Sequence, residues 1–126
     1  MQVLSSRVLV RPTDLESSTA FYRDVLGLAI YRTFPGGTVF FLGQGFLEVS
    51  GSRDNEAPGP LELWLQVRDI DAAVKELAVH GVTPDRGPRK EPWGLWEAWI
   101  SDPDGVRIVL VEIPADHPLR TDIRAD

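Results

Sequence analysis

The chain states one pattern twice, and this repetition constrains its fold more than any other feature. RVLVRPTDLESSTAFYRDVLG, from Arg7, and ELWLQVRDIDAAVKELAVHG, from Glu62, each contain an alternating apolar stretch, an Asp followed by Leu or Ile, a helical pattern and a closing Gly. Asp14 and Asp69 are 55 positions apart and Gly27 and Gly81 are 54 apart, so the second helix is shorter by one residue. Val8 and Val10, like Leu63, Leu65 and Val67, recur with period 2, as strands with one buried face do. Asp14 and Asp69 suit helix N-caps. Leu15, Ala20, Phe21 and Val25, and Ile70, Ala73, Val74 and Leu77, form apolar stripes near period 3.6. Gly27 and Gly81 suit the left-handed residue that ends a helix.

Short strand patterns separated by turn signals follow each helix. The first half offers LAIYRTF, GGTVFFLG and GFLEVSG, parted by Pro35-Gly36-Gly37 and Gly43-Gln44-Gly45. The second offers a less regular GVTPDRGP, then LWEAWIS and VRIVLVEI, with the turn Asp102-Pro103-Asp104-Gly105. The reading is an α+β chain of two tandem βαβββ modules, 1–51 and 60–114, with a linker at 52–59 and a polar tail at 115–126. Neither module can bury its sheet alone, so the expectation is a curved mixed sheet around a shared cleft.

A chain of 126 residues fits one domain of this kind. It has no cysteine, which removes disulfides and thiolate metal sites. A net charge of −6 argues against nucleic acid and anionic membrane surfaces as partners and weakly favours a cationic ligand. No apolar run approaches the roughly 20 residues of a spanning helix. MQVLSSRVLVRPTD does not have the form of a signal peptide, so a cytoplasmic protein is expected.

Asp-Leu followed by Phe-Tyr-x-x-x-Leu-Gly-Leu, with Asp-Pro-Asp-Gly near the end, resembles the vicinal oxygen chelate superfamily of glyoxalases, bleomycin-resistance proteins and dioxygenases. The segment EPWGLWEAWISDPDG resembles the bleomycin-resistance branch, whose members sequester a drug in clefts of a homodimer. The resemblance implies the glyoxalase/bleomycin resistance/dioxygenase fold, a small-molecule ligand and a homodimer. In catalytic members it also implies a divalent metal held from four positions. Seven residues before Asp14 and Asp69, those positions fall on Arg7 and Glu62, and on the last strand of each half they fall on Glu48 and Val109. Arginine cannot become a ligand and valine has nothing to donate. Two carboxylates without an imidazole do not make a transition-metal site. The reading is therefore no metal cofactor, with a weak hard-cation site at Glu48 and Glu62 as the alternative. His80 and His117 read as exposed residues rather than ligands. Arg7 is expected to place a fixed positive charge between Glu48 and Glu62.

Period 2 then sorts the faces. Arg7, Leu9 and Arg11, with Phe46, Glu48 and Ser50, fall on the cleft side of the first module. Glu62, Trp64, Gln66, Val109 and Val111 fall on that of the second, and Trp64 is the leading candidate for stacking on a ligand. Trp93 sits in a Pro-Trp-Gly turn. Trp96 and Trp99 lie at odd separation on one strand and point to opposite faces, so the tryptophan-rich segment is not one aromatic stripe. Trp99 and Trp93 are assigned to the pocket.

The resulting expectation is a non-catalytic protein that binds or sequesters an antibiotic-like, aromatic or cationic small molecule. The alternatives are a divalent-metal-dependent lyase, isomerase or dioxygenase, and metal-free acid–base catalysis by Glu48 or Glu62.

Overall fold

The computed structural model describes residues 2, 4–5, 7–53 and 61–117. Most of the expected linker and tail, residues 54–60 and 118–126, lies outside the described residues. The chain divides into two compact units, Met1–Pro58 and Gly59–Asp126.

In the first unit the elements run β1 (Val8–Val10), α1 (Leu15–Ala20), a wide helical turn (Phe21–Val25), then β2 (Ile30–Phe34), β3 (Gly37–Leu42) and β4 (Gly45–Ser50). They form a four-stranded sheet in the order β1-β4-β3-β2. β1 pairs parallel to β4 and the other neighbours are antiparallel. Asp14 caps α1: its carboxylate accepts from the Glu16 and Ser17 amides at 3.1 and 3.4 Å and from Ser17 Oγ at 2.8 Å. These bonds, the Ser17 hydroxyl foremost, hold the Asp14 carboxyl below its usual range.

One regular helix was expected as far as Gly27. The structure instead widens after Ala20, where Leu26 N donates to Phe21 O at 3.0 Å. The extra residue in that turn brings consecutive Phe21 and Tyr22 both into the core, edge to face at 5.2 Å. The stripe expected from a regular 3.6-residue period ran through Ala20 and Phe21 and left Tyr22 out. Tyr22 meets Phe40, and with Val10, Leu47 and Val49 they form the core on the helix side of sheet 1. Val10 is buried as expected, while Val8 is partly exposed.

The second unit repeats the plan with β5 (Leu63–Gln66), α2 (Ile70–Val79), β6 (Arg86–Lys90), β7 (Trp96–Ser101) and β8 (Arg107–Glu112). The sheet order is β5-β8-β7-β6, again with the first strand parallel to the last. Asp69 caps α2 through the Ala72 amide at 3.0 Å, and Glu112 of β8 accepts from the Ile70 amide at 2.8 Å. Two of the helix's orphan donors are thus satisfied, one from outside the helix. Ile70, Leu77, Ala98, Ile100, Ile108 and Leu110 are buried.

The strand read at GVTPDRGP begins only at Arg86 and runs on to Lys90. Pro84 has no amide hydrogen to give to a ladder, and pairing starts after it. The turn at Asp102 forms as expected: its carboxylate accepts from the amides of Asp104 and Val106 at 2.9 and 2.8 Å. Gly27 and Gly81, with φ of 68° and 80°, end the helical segments in the left-handed region that the repeat implied.

Candidate functional site

Ladder partners place the side chains on the face of sheet 1 turned away from its helix. Phe46 stands opposite Phe41, Glu48 opposite Leu9 on one side and Val39 on the other, and Ser50 opposite Gly37. Arg32 pairs with Val39, and Phe34 with Gly37. Gly37 is needed in this array. A Cβ there would lie 2.5 Å from Ser50 Cβ and 2.6 Å from the end of the Phe34 ring.

Glu48 is the polar centre of this face. Arg7 Nη1 donates to its Oε1 at 2.9 Å, Ser50 Oγ donates to its Oε2 at 2.6 Å, and Arg11 Nη1 lies 3.6 Å from Oε2. Arg11 Nη1 also donates to Ser50 Oγ at 2.5 Å. The Ser50 hydroxyl, then the Arg7 guanidinium, hold the Glu48 carboxyl below its usual range. The expected contact of Arg7 with a carboxylate is present. Its carboxylate is Glu48, whereas Glu62 pairs with Arg107 of its own unit at 3.5 Å. The parallel ladder of β5 with β8, in which Leu63 faces Ile108, puts Glu62 and Arg107 one step away on neighbouring strands.

Beside Glu48 the sheet carries an aromatic cluster. Tyr31 lies 5.2 Å from Phe41 and 4.8 Å from Phe46, and Phe41 lies 5.7 Å from Phe46, between ring centres. Tyr31 is 50% exposed, Phe41 43% and Leu9 48%. Phe46 was expected here, but Tyr31, Phe41, Phe34 and Arg32 were not. An irregularity between Ile30 and Arg32 breaks the alternation that would have placed Tyr31. Phe40 and Phe41 are adjacent and chemically alike, so period 2 cannot tell which one faces outward until the hairpin register is known.

Sheet 2 presents the matching face differently. Trp64, Val109, Trp99 and Arg86 form one row across the ladder, and Gln66, Val111 and Glu97 the next. Trp64 is 52% exposed. Val109 was assigned to the cleft wall. It is 8% exposed and packs with Leu95, Val111, Ile113 and Trp99, so most of its surface is already covered. Trp99 lies under two guanidiniums, with Arg86 Cζ 3.9 Å and Arg107 Cζ 4.3 Å from its ring centre. Arg86 Nε and Nη1 are buried without hydrogen-bond partners among the described residues, so the indole π-face adds to the Glu91 carboxylate, ion-paired through Nη2, in compensating that cation.

Two carboxylates complete the row ends. Glu91 is buried and ion-paired with Arg86 and, at 3.3 Å, with Arg89. Burial pushes its carboxyl up, but the hydrogen bonds and charges of the two arginines outweigh this and hold it low. Glu97 is 8% exposed and accepts both indole N–H groups, from Trp93 at 3.0 Å and from Trp99 at 3.4 Å. Trp93 and Trp99 therefore do come together, through a carboxylate. Trp96 projects from the opposite face, as its odd spacing required.

His117 was read as exposed. It is half-buried, with Nε2 2.9 Å from the Trp93 carbonyl oxygen and its ring against Gly94. His80 is exposed at the end of α2. Among the described residues no group of three or more His, Asp or Glu side chains is placed to hold a metal ion. The donor chemistry agrees at Glu48, whose oxygens already accept from a serine and face two arginines. Among the described residues no helix is long and apolar enough to cross a membrane.

Comparison with known proteins finds this architecture elsewhere. The model of the Glyoxalase/Bleomycin resistance protein/Dioxygenase superfamily matches residues 5–110. A lactoylglutathione lyase of Haemophilus influenzae is 30% identical, with 89% of this chain and 93% of the relative covered. The crystal structure of TnmS3, an antibiotic binding protein from a Streptomyces species, is 27% identical with a TM-score of 0.75, covering 90% of this chain and 98% of that one. A superfamily member from Sphaerobacter thermophilus is 29% identical with a TM-score of 0.69, covering 88% and 98%.

Proposed function

The chain belongs to the glyoxalase/bleomycin resistance protein/dioxygenase superfamily, and from that premise we propose that it binds and sequesters a flat aromatic, antibiotic-like small molecule without a metal cofactor. The observation that carries this reading is the Arg7–Glu48 pair at 2.9 Å. A divalent metal at this position would need neutral or anionic donors. Arg7 can only repel it, and Glu48 is already engaged. The superfamily's metal chemistry does not fit these residues, and no step is assigned to it. In place of a metal, the faces carry stacking surfaces: Tyr31, Phe41 and Phe46 in one unit, Trp64 and Trp93 in the other. Each aromatic contact to a flat ligand contributes on the order of 0.5–1.5 kcal/mol beyond area burial. Gln66 and Arg11 add polar edges to the two faces. The similarity to an antibiotic binding protein supports binding rather than turnover. A homodimer working in the cytoplasm completes the proposal.

The 30% identity to a lactoylglutathione lyase favours a second reading, a divalent-metal-dependent lyase. Acid–base catalysis by Glu48 is disfavoured, because Ser50 and Arg7 lower its basicity, and Glu62 is exposed beside Arg107. The deciding experiment measures metal content after purification and after chelation with add-back of each divalent ion, alongside an assay with a hemithioacetal of glutathione. Binding without chemistry predicts no retained equivalent and no turnover. One tightly held equivalent with turnover would establish the lyase. Tryptophan fluorescence, with Trp64→Ala as control, then screens aromatic ligands.

A further inference from the structure

The chain as a whole is acidic, at −6, yet the helix-free face of sheet 1 is not. Among its described residues Arg7, Arg11 and Arg32 stand against the single carboxylate of Glu48. Glu48 is spent on Arg7, Ser50 and Arg11, so it has little left to offer a cation. The arginines are less fully used. Arg7 and Arg11 each engage partners through Nη1 alone, which leaves Nε and Nη2 of both guanidiniums without a partner among the described residues. Their side chains are 39% and 50% exposed. Arg32 makes a cation–π contact with Phe34 at 5.6 Å and no ion pair among the described residues. The same face carries the half-exposed rings of Tyr31 and Phe41 next to Phe46.

We infer that the ligand of this face is a planar aromatic acid, with its oxyanion on the free edges of Arg7 and Arg11 and its ring system against Phe46, Phe41 and Tyr31. This deepens the binding reading proposed above and rests on it, and it reverses the cationic preference that net charge suggests. A guanidinium's remaining N–H edge matches a carboxylate in shape and charge. An ammonium ligand would meet two unneutralised positive charges and a carboxylate whose oxygens already accept hydrogen bonds. A ring system lying on the aromatic residues of the same face would itself cover one side of the oxyanion contact, which strengthens it.

The test compares three probes that differ only in charge: 2-naphthoate, 2-naphthamide and 2-naphthylmethylamine, titrated calorimetrically into the full chain at low and moderate salt. The expected order is naphthoate at least tenfold tighter than the amide, and the amine weakest, with the naphthoate preference shrinking as salt rises. Arg11→Met should bring naphthoate close to the amide while leaving the amide unchanged. Arg7→Met uncovers Glu48, so it is made together with Glu48→Gln, which leaves no unpaired carboxylate and does not change the net charge of the face. Equal affinities, a preference for the amine, or an unchanged naphthoate preference in both variants would overturn the inference while leaving the binding reading intact. A further overturning result would be a second copy occupying this face, seen as self-association that Phe41→Glu abolishes and naphthoate does not oppose. Failure of all three probes overturns the inference, and a tightly held metal with lyase turnover overturns the binding reading itself.

Discussion

Sheet 1 leaves Leu9, Tyr31 and Phe41 about half exposed on its helix-free face, whereas sheet 2 covers the equivalent surface with Leu95, Val109, Val111 and Ile113 and, of the large apolar side chains described there, leaves Trp64 and Trp93 widely exposed. Both sheets have the same strand order and the same parallel first-to-last pairing. They differ in how charge is compensated. On sheet 1 a carboxylate is neutralised and arginine edges remain free. On sheet 2 Arg86 is tied to Glu91 and lies over Trp99, while Glu97 takes two indole donors. One topology, repeated, thus yields one face with half-exposed rings and arginines and one largely committed to holding itself together.

If that contrast is right, truncating the aromatic on each face separates the two by stability. Trp99→Ala should cost about 3 kcal/mol, because it removes buried area and the support under two guanidiniums. Phe41→Ala should cost no more than about 1 kcal/mol, since half of its surface is already in water. Urea midpoints measure both, and equal losses would erase the distinction. Gly37→Ala is next in size. Its Cβ would press on Ser50 and Phe34, an overpacking cost of about 1–3 kcal/mol. Because it also displaces Ser50 from Glu48, it should weaken naphthoate binding too. A stability loss without a binding change would mean that the Ser50–Glu48 contact does not set the arginine geometry.

A finer probe of sheet 2 is Glu97→Gln. The amide keeps one acceptor oxygen and loses the other, so one indole N–H reverts to water at a cost of about 1 kcal/mol. Fluorine NMR of 5-fluorotryptophan-labelled protein should show the Trp93 resonance moving most, with Trp64 and Trp96 unmoved. The smallest effect concerns acid. Glu48 is held below the ordinary carboxylate range in the folded chain, so the stability it contributes is complete above that range. It is lost as pH falls through the lowered folded value. Denaturation midpoints of wild type and Glu48→Gln should therefore differ at neutral pH and converge in strong acid. A gap that widens on acidification would contradict the ion-paired Glu48.

The legibility of these features in the sequence was uneven, and for identifiable reasons. The Asp caps, the closing glycines and the alternation at Leu47, Glu48 and Val49 are local, so the repeat exposed the elements and their order. The partnership of Arg7 with Glu48 was also readable, because the repeat put both on one face. Tyr31 was hidden by an irregular strand pairing, and Phe41 by its like neighbour Phe40. The start of β6 was misplaced because a proline governs where pairing begins. His117 was taken for a surface residue because its bond to the Trp93 carbonyl spans 24 positions.

By itself, then, the sequence determined the twofold strand–helix–strand plan and the caps that bound its helices. These depend on residue type and on spacings within one element, which short-range geometry enforces. Only the tertiary structure decided which carboxylate each arginine neutralises, that two tryptophans share Glu97, and that Tyr31 and Phe41 join Phe46 on the face that carries Arg7 and Glu48. Those outcomes depend on ladder register between strands far apart in sequence, and a one-residue change of register would turn every one of those side chains to the other face.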